Sequence, residues 1–403
     1  MPYVEGETVH DADSHVMELP GTLARYADPA YRAALAAQDE RADVAQLQKP
    51  GDDSWALGLQ RLHDRPDFRA GFEDNLLVRK NYEAAGAFRR EDRPMVLNLL
   101  GFASQLVFTT NGLFLFELEH GNDAGLVIEG ARAHNRMMAD YCSVDRRLLP
   151  TAYIPLMDRA RAVELAREAI DLGCKGLMIP ARAPKTHSPS HKELDPLWAL
   201  AQEAGLPILF HIGGEIKTDP AYLENGGPRV LDFHGGAENF TSVSFMGIPM
   251  SVWQTLSVLV FDGVFDRFPR LKWGAIELGA SWVPSLMQFM DAAAAAFGKE
   301  ERMRKLSAKP SEILQRQFFA TPYPHENAGW IIQNGCEDIC MFSSDYPHVE
   351  GGRNPMKRFN ASMPGVSEGA RRKFFRNNFI ALMGAGLDVS LHDAPVLKAV
   401  GKD

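Results

Sequence analysis

The chain has 403 residues, and its 43 basic and 52 acidic side chains give a formal net charge of −9. This acidic balance argues against nucleic acid or an anionic membrane as the main partner, so we expect a small-molecule substrate. The length exceeds what one compact core usually supports, which predicts either two domains or one large α/β barrel.

Cysteine usage and the most apolar stretch exclude two further classes. The four cysteines are too unevenly spaced for a disulfide scaffold, and CEDIC at 336–340 lacks the second pair of a zinc knuckle. The stretch SVWQTLSVLVFDGVF is interrupted by Gln254 and Asp262, so it predicts no membrane span. No signal-peptide pattern precedes the first motif. We therefore expect a cytoplasmic enzyme, with a homodimer as the expected assembly.

The first candidate strand carries an unusual set of ionisable residues. In HDADSHVMELP, residues 10–20, Asp11, Asp13 and His15 alternate and would share one face of a strand. Burying them is costly unless they find partners. The Asp13–His15 spacing allows a carboxylate and an imidazole to reach one cation, although a solvated strand end has the same pattern.

Residues 16–94 interrupt the regular pattern with charged, Arg- and Asp-rich sequence such as DERADVAQLQKPGDDSW. This composition predicts helices and loops inserted after the first strand. We expect the insertion to form a lid over the mouth of a barrel.

From about residue 148, apolar strands alternate with amphipathic helices, which indicates a parallel sheet covered by helices. Asp158 is predicted to cap a helix that ends at Gly173, and Asp195-Pro196 to cap and begin one that ends at Gly205. Further helices are predicted at 250–267 and from Ser367 onward. The predicted strands are 9–15, 95–100, 148–156, 176–180, 207–212, 271–277, 317–321 and 339–344.

Eight strands are the number that closes a (β/α)₈ TIM barrel, although an open doubly wound sheet is the competing architecture. Polar residues at the carboxyl ends of the strands favour the barrel, because closure brings all of these ends to one face. Each residue has a plain alternative: a core histidine or a helix-capping carboxylate. Together they supply two imidazoles and up to three carboxylates, which predicts a divalent-cation site. These residues are Asp13, His15, His211, Glu277 and Asp345.

Several segments together resemble the amidohydrolase superfamily. They are DADSHVME, KGLMIP, LFHIGG, GVFDRFPRLKWGAIELGASWVPSLMQFMD, MFSSDYPH and FFRNNFIALMG. Within the superfamily the chain is most similar to the amidohydrolase-2 group, metal-dependent barrels that include aminocarboxymuconate-semialdehyde and resorcylate-type decarboxylases alongside hydrolases. The resemblance implies one metal-dependent barrel over residues 1–403, with no clear counterpart for residues 21–90.

The resemblance also implies roles for individual residues. The metal ligands would be Asp13, His15, His211 and Asp345, with Asp345 also handling protons. Where the decarboxylases have an acid/base histidine on strand six, this sequence has Glu277, which would bind a second metal or carry the proton itself. The strand-four lysine of the carbamylated binuclear enzymes has no counterpart.

Four further residues are candidates near this site. Glu18 and Arg182 are candidate substrate-binding residues, although a loop cap and a surface arginine are the plainer interpretations. His234 and His348 are candidates for proton transfer near neutral pH.

The leading functional hypothesis is a hydrolase in which metal-activated water attacks the carbonyl of an ester, lactone, amide or C–C substrate. The alternative is a non-oxidative decarboxylase of an aromatic or unsaturated carboxylic acid. A third hypothesis is a catalytically inactive metal-binding barrel. Zinc is the first choice of cation, with manganese or iron as alternatives, and one ion is favoured over two.

Overall fold

Residues 2–39, 54–213, 218–228 and 241–393 are described by the structure, a computed structural model. Seven parallel strands form one sheet in chain order, each paired with the next. They are β1 (His10–Val16), β2 (Ser104–Thr109), β3 (Leu148–Tyr153), β4 (Gly176–Met178), β5 (Ile208–His211), β6 (Trp273–Ile276) and β7 (Phe318–Ala320). Every residue of these strands is buried, as expected when helices cover the sheet.

An extended segment, residues 339–346, closes the ring between β7 and β1. It forms parallel bridges from Cys340 to Ala320 on one side and from Tyr346 to Ser14 on the other. The backbone N–H of Ala12 donates to Phe342 O at 3.1 Å, which adds to the closure. The architecture is therefore the (β/α)₈ barrel that the sequence predicted, with the eighth position filled by isolated bridges rather than a full strand.

The helices surround this barrel and fill the insertions between strands. The α-helices are α1 (Thr22–Tyr26), α2 (Arg32–Asp39), α3 (Ser54–Asp64), α4 (Pro66–Ala70), α5 (Arg93–Leu100), α6 (Phe114–Leu118), α7 (Ala124–Cys142), α8 (Arg159–Asp171), α9 (Asp195–Ala204), α10 (Ser242–Phe261), α11 (Val264–Arg267), α12 (Val283–Ala296), α13 (Glu301–Arg304), α14 (Pro310–Gln317), α15 (Ala328–Ile331), α16 (Pro355–Ser362), α17 (Glu368–Arg372) and α18 (Asn378–Met383). Short 3₁₀ turns occupy Asn81–Glu83, Arg90–Asp92, Asn111–Leu113, Lys192–Leu194, Pro220–Leu223, Gly384–Gly386 and Val389–Leu391, and π-helical turns occupy Ile332–Cys336 and Lys373–Asn377.

One predicted strand is wrong. Residues 95–100 lie in α5, and the second strand is Ser104–Thr109. A short apolar run fits a buried helix as well as a strand, so the pattern alone did not decide. The flanking residues favour the helix, because Pro94 lies in its first turn and Gly101 ends it in the left-handed conformation at φ 75°.

The predicted helix ends are largely confirmed. Asp158 caps α8 by accepting from the N–H groups of Ala160 and Arg161. Asp195, in contrast, is the first residue of α9 and makes no cap bond, because a 3₁₀ turn leads directly into this helix. Gly205 ends α9 in the left-handed conformation, as predicted.

Helix α10 is longer than the sequence indicated. Its 20 residues and apolar composition would suffice to cross a membrane, a test that core helices of soluble proteins also pass. Val252, Leu256, Leu259 and Val260 on its inner face are fully buried in the core. The helix is therefore weak evidence for a membrane span.

The region between β1 and β2 holds α1 to α4 and packs onto the loop that follows residue 345. The backbone N–H of Asn81 donates to Pro347 O at 2.9 Å, and Lys80 Nζ donates to Gly352 O at 2.6 Å. Part of this insertion therefore lies against the loop beyond the closing segment. Its role as a lid stays a prediction.

A buried carboxyl group outside the strand ends gives a stability test. Glu119 accepts hydrogen bonds from Tyr153 Oη at 2.9 Å and from Leu156 N at 2.7 Å, and burial raises its pKa to about 7. The folded protein therefore keeps a proton on Glu119 that the unfolded chain releases above its ordinary pKa. This contribution to stability is complete at low pH and is lost as the pH rises through about 7.

We expect Glu119→Gln to reduce the fall in the free energy of unfolding between pH 5 and pH 7.5, since each unit of pKa shift corresponds to about 1.4 kcal/mol. Urea denaturation at several pH values measures this slope. Glu203→Gln, at an exposed position on α9, is the matched control and should keep the wild-type slope. Equal slopes in wild type and Glu119→Gln would contradict the assignment.

Candidate metal centre

The strand β1 delivers two of the predicted ligands to the barrel axis. Its register with β2 shifts between Asp11 and Ser14, so the strand is irregular where the ligands begin. Asp13 lies within this shift and His15 beyond it, and both are almost fully buried. Asp11 takes no part in the cluster, because its carboxylate accepts from Gln105 Nε2 at 2.7 Å and from Ser344 N and Oγ at 2.7 and 2.6 Å.

The other predicted ligands come from the carboxyl ends of β5, β6 and the closing segment. His211 is the last residue of β5, and Glu277 directly follows β6. Asp345 is fixed against β1, because its N–H donates to Asp13 O at 2.9 Å. Active sites of TIM barrels form at this end of the strands.

Two of these residues adopt a backbone conformation that non-glycine residues rarely use. Glu277 has φ 54° and Asp345 has φ 53°, and among the described residues only Asn81 shares this feature. Such conformations cost about 1–3 kcal/mol each and persist where the surrounding structure fixes them. Both acidic side chains are thus aimed at the cluster by strained backbone.

The ligand atoms converge on a small volume. His15 Nε2 lies 3.3 Å from Asp13 Oδ1, 3.6 Å from Glu277 Oε2 and 3.6 Å from Asp345 Oδ1. His211 Nε2 lies 3.6 Å from Asp13 Oδ1 and 3.4 Å from Glu277 Oε2. Bonds of about 2.0–2.2 Å to one shared ion place neighbouring ligands roughly 3–3.5 Å apart, so the spacing suits a shared cation.

Both imidazoles are oriented by their second nitrogen. His15 Nδ1 lies 3.0 Å from Thr109 O, and His211 Nδ1 lies 3.1 Å from Ile212 O. A carbonyl oxygen only accepts, so each Nδ1 carries the hydrogen and each Nε2 presents a lone pair to the cluster. This arrangement is the one that metal-binding histidines use.

The cluster lacks the hydrogen bonds that buried polar atoms normally have. Among the described residues, both carboxylate oxygens of Asp13 and Asp345 and the Nε2 atoms of His15 and His211 are buried without a hydrogen-bond partner. Unpaired buried polar groups are expensive, so such a concentration is typical of a ligand-binding site. Two imidazoles with carboxylates suit Zn²⁺, Mn²⁺ or Fe²⁺. The residues present therefore fit a divalent metal ion.

The pKa values of Asp13 and Glu277 are shifted in opposite directions. Burial opposes the charge on Asp13, but the adjacent His15 and His211 outweigh burial and lower the pKa of Asp13 below its ordinary value. Burial, followed by the charges of Asp345 and Asp13, raises the pKa of Glu277 well above its ordinary value. Asp13 is thus kept as a carboxylate, and Glu277 is the group that retains a proton.

His348 joins the cluster on the side of Asp345. Its Nδ1 lies 2.9 Å from Asp345 Oδ1, and its Nε2 lies 2.9 Å from Thr110 Oγ1. The His348 ring also lies against that of His15, with centroids 3.9 Å apart. His15, Glu277, Asp345 and His348 form a second group of atoms close enough to hold a cation, overlapping the first group of Asp13, His15, His211 and Glu277.

Glu18 lies beside the cluster but bonds to the protein. Its oxygens accept from the N–H groups of Thr110 and Asn111, both at 3.0 Å, and from the hydroxyl of Thr109. The geometry therefore favours positioning of the loop after β2 over the predicted substrate contact. Through this loop Glu18 supports Thr109 O and Thr110 Oγ1, the atoms that contact His15 and His348.

Arg182 is the one remaining candidate that lies among the described residues. Arg182 follows β4 and is half-buried; burial and then its charge lower the pKa of His120. It is not among the residues that converge on His15, and its substrate contact stays a prediction. His234 lies outside the described residues.

Sequence reasoning missed the residues that support the cluster. Thr109 and Thr110 escaped notice because the second strand was placed at 95–100; the signal was the apolar run SQLVFT followed by the turn sequence TNG. Thr321 and Tyr323, which follow β7 and bond to the backbone of Glu277, were also missed. Nothing in their spacing indicates those bonds.

Comparison with known proteins identifies the family. The sequence profile of the amidohydrolase family matches residues 88–384. The chain belongs to the amidohydrolase family. The family resemblance inferred from the sequence motifs is thereby confirmed.

Individual relatives of this amidohydrolase include decarboxylases. It is 28% identical to Decarboxylase orsB of Emericella nidulans over 241 residues, 56% of this chain and 67% of that protein. Amidohydrolase map2389c from Mycobacterium avium subsp. paratuberculosis has a similar structure, with a TM-score of 0.68 and 22% identity over 94% of this chain and all of that chain.

A third relative was solved with a metal and an aromatic ligand. The 5-carboxyvanillate decarboxylase of Novosphingobium aromaticivorans, complexed with manganese and 4-hydroxy-3-methoxy-5-nitrobenzoic acid, has a TM-score of 0.58 and 17% identity over 94% of this chain and 96% of that chain. At these identities the two structural likenesses establish the fold. Decarboxylase orsB supports the decarboxylase alternative better than the leading hydrolase hypothesis.

We expect Asp13→Asn to weaken Mn²⁺ and Zn²⁺ binding, because it removes a charged ligand. The loss of affinity should exceed the 10- to 100-fold that typically follows loss of a residue hydrogen-bonded to a ligand. Titration calorimetry measures the affinity. The melting temperature of the wild type should also rise with added cation, and that of the variant should not. Asp158→Asn makes the same chemical change at the cap of α8, where asparagine is tolerated, and should bind metal as the wild type does.

Proposed function

We propose that this amidohydrolase is a metal-dependent, non-oxidative decarboxylase of aromatic acids that carry a hydroxyl group next to the carboxylate. The similarity to Decarboxylase orsB carries the choice of reaction, because the caged carboxylates and imidazoles would serve hydrolysis equally well. The manganese-bound decarboxylase of the same fold supports the aromatic substrate class and widens the choice of metal from zinc to manganese.

Four side chains would hold the cation by resemblance to the family: Asp13, His15, His211 and Asp345. The first three belong to one converging group, and Asp345 approaches it through His15 Nε2 at 3.6 Å. When bound, the ion would supply a Lewis acid for the oxygen atoms of the substrate. Asp13 would bind the ion as a carboxylate. The carbonyls of Thr109 and Ile212 hold the hydrogen of each neutral imidazole on Nδ1, which would leave both Nε2 lone pairs for the ion. The protein thus contributes a preorganised set of lone pairs.

The proton required by the reaction would come from Glu277. Decarboxylation breaks the bond between the ring carbon and the carboxylate carbon, carbon dioxide leaves, and the electron pair stays on the ring carbon. That carbon then takes one proton. Glu277 carries a proton because of its burial beside Asp345 and Asp13, and its Oε2 lies 3.4 Å from His211 Nε2 at the edge of the cage. Solvent restores the proton before the next turnover.

Hydrolysis is the second candidate, favoured by one observation. This chain has Glu277 on strand six, where the decarboxylases of the amidohydrolase-2 group have a histidine. A carboxyl group at this position would also donate to the leaving group of an ester or lactone. Consumption of base during incubation with esters or lactones, without release of carbon dioxide from any aromatic acid, would favour hydrolysis.

We expect the manganese-loaded protein to release carbon dioxide from ortho-hydroxybenzoic acids with one or more further hydroxyl groups. In deuterium oxide, the product should contain one deuterium at the carbon that lost the carboxylate, because the proton comes from an exchangeable group. Gas analysis and mass spectrometry measure the two products. Absence of carbon dioxide from the whole panel would refute the proposal.

We expect Glu277→Gln to lower kcat by about 10²–10⁴-fold, the usual contribution of a positioned proton donor, while manganese stays bound. Steady-state kinetics and metal analysis on the same sample separate the two effects. The control is Glu203→Gln, at an exposed position, which should keep full activity. Glu326 is unsuitable for this purpose because its carboxylate accepts a hydrogen bond from the loop after β6. Loss of the metal together with activity would make Glu277 a ligand instead.

A further inference from the structure

We propose that Thr321 and Tyr323, in the loop after β7, are positioning residues that fix Glu277 in its reactive place by bonding its backbone. The proposal rests on the decarboxylase function for the role of Glu277. It concerns two hydroxyl groups that lie outside the set of candidate metal ligands.

The two hydroxyls hold Glu277 from both sides. The N–H of Glu277 donates to Thr321 Oγ1 at 3.0 Å, and Tyr323 Oη donates to Glu277 O at 2.6 Å. Glu277 occupies the left-handed region at φ 54°, which a residue with a side chain rarely adopts without support. The two bonds supply that support at Glu277, whose Oε2 lies 3.4 Å from His211 Nε2.

The loop that bears these hydroxyls is itself bonded to the loop that bears Glu277. The Glu326 carboxylate accepts from the N–H of Tyr323 at 2.6 Å and from the N–H of Ser281 at 2.8 Å. Gly279 lies under the Tyr323 ring, where an added Cβ would come within 3.3 Å of the ring carbons. The segments 277–282 and 321–326 therefore form one unit, in which Tyr323 has little freedom to move.

The tyrosine ring is also held on its outer side. Phe245 and His325 lie 5.4 and 5.3 Å from Tyr323 between ring centroids, and the Tyr323 and His325 planes are nearly parallel at 10°. Thr321 and Tyr323 are both buried. The Tyr323 hydroxyl therefore keeps its orientation, and the position of the backbone of Glu277 depends on the position of this loop.

The position of the Glu277 carboxyl group matters because it must reach a single carbon atom of the substrate. A displacement of 1 Å in a reacting group lowers the rate by as much as about 10²-fold. Loss of one backbone bond would let Glu277 leave the strained conformation and move its carboxyl group away from His15 and His211. The proposed function assigns substrate and cation binding to other residues, so the Mn²⁺ dissociation constant would be preserved.

The test uses single hydroxyl deletions in the full chain. We expect Tyr323→Phe and Thr321→Val each to lower kcat by about tenfold or more, with KM and the Mn²⁺ dissociation constant changed by less than about twofold. Thr321→Ser keeps the hydroxyl and should keep most of kcat. Tyr141→Phe deletes another buried tyrosine hydroxyl bonded to a backbone carbonyl, that of Gly86, and should leave kcat unchanged.

A double-mutant cycle distinguishes positioning from general structural support. In the Glu277→Gln background, Tyr323→Phe and Thr321→Val should cause no further loss of kcat, because they act through Glu277. An equal loss in both backgrounds, or unchanged kcat in the single variants, would overturn the proposal.

Crystal structures of the same variants give a readout that does not depend on activity. We expect the Glu277 carboxyl group of Tyr323→Phe to be displaced by about 1 Å or more relative to His211, while Asp13 and His15 stay in place. An unmoved Glu277 would overturn the proposal even in an active enzyme. If the wild type decarboxylates no aromatic acid, the proposed function fails, and the displacement of Glu277 still decides whether the two hydroxyls position it.

Discussion

Two acidic side chains from opposite ends of the chain, Asp13 and Asp345, are buried together beside His15 and His211. Among the described residues, their carboxylate oxygens have no hydrogen-bond partner, which normally costs several kcal/mol for each charge. Such an arrangement is stable only with a cation or protons between the groups. The backbone bond from Asp345 N to Asp13 O, at the seam where the barrel closes, holds the acidic pair in place.

The barrel delivers these side chains, but the loops beyond its strands determine their direction. Glu18 fixes the loop after β2, whose Thr109 O orients His15 and whose Thr110 Oγ1 contacts His348. Glu326 performs the corresponding task for the loops after β6 and β7. In both places a carboxylate, buried in Glu18 and half-buried in Glu326, accepts from backbone N–H groups. The acidic residues around the site therefore divide into those that face the cage and those that support its walls.

The chemistry of the site depends on a division of protonation states. Asp13, beside two imidazoles, favours the charged form, whereas burial beside two other carboxyl groups favours the neutral form of Glu277. Two carboxyl groups a few ångströms apart can thus serve as a ligand and as a proton donor. A histidine in place of Glu277 would be a cationic donor when protonated, whereas a protonated glutamic acid is neutral. The residue at this position consequently influences which substrates and which proton transfers the cage can support.

The sequence predicted the barrel and most of its metal cage from local patterns. Apolar runs end at His211, Glu277 and Asp345, and Asp13 and His15 alternate along the first strand. Closure of eight strands brings such residues to one face. The pattern failed at residues 95–100, where an apolar run suits a helix as well as a strand.

Only the tertiary structure decided what supports the cage. Glu18 has the sequence context of a ligand, yet its oxygens are taken by a loop more than 90 residues away. Tyr323 and Thr321 have no distinguishing spacing, and their role follows from contacts with Glu277 across a separation of more than 40 residues. The spacing of residue types indicates which side chains of one segment are buried and which face of the segment they share. Which donor meets which acceptor depends on how distant loops pack, and the local pattern carries no record of that.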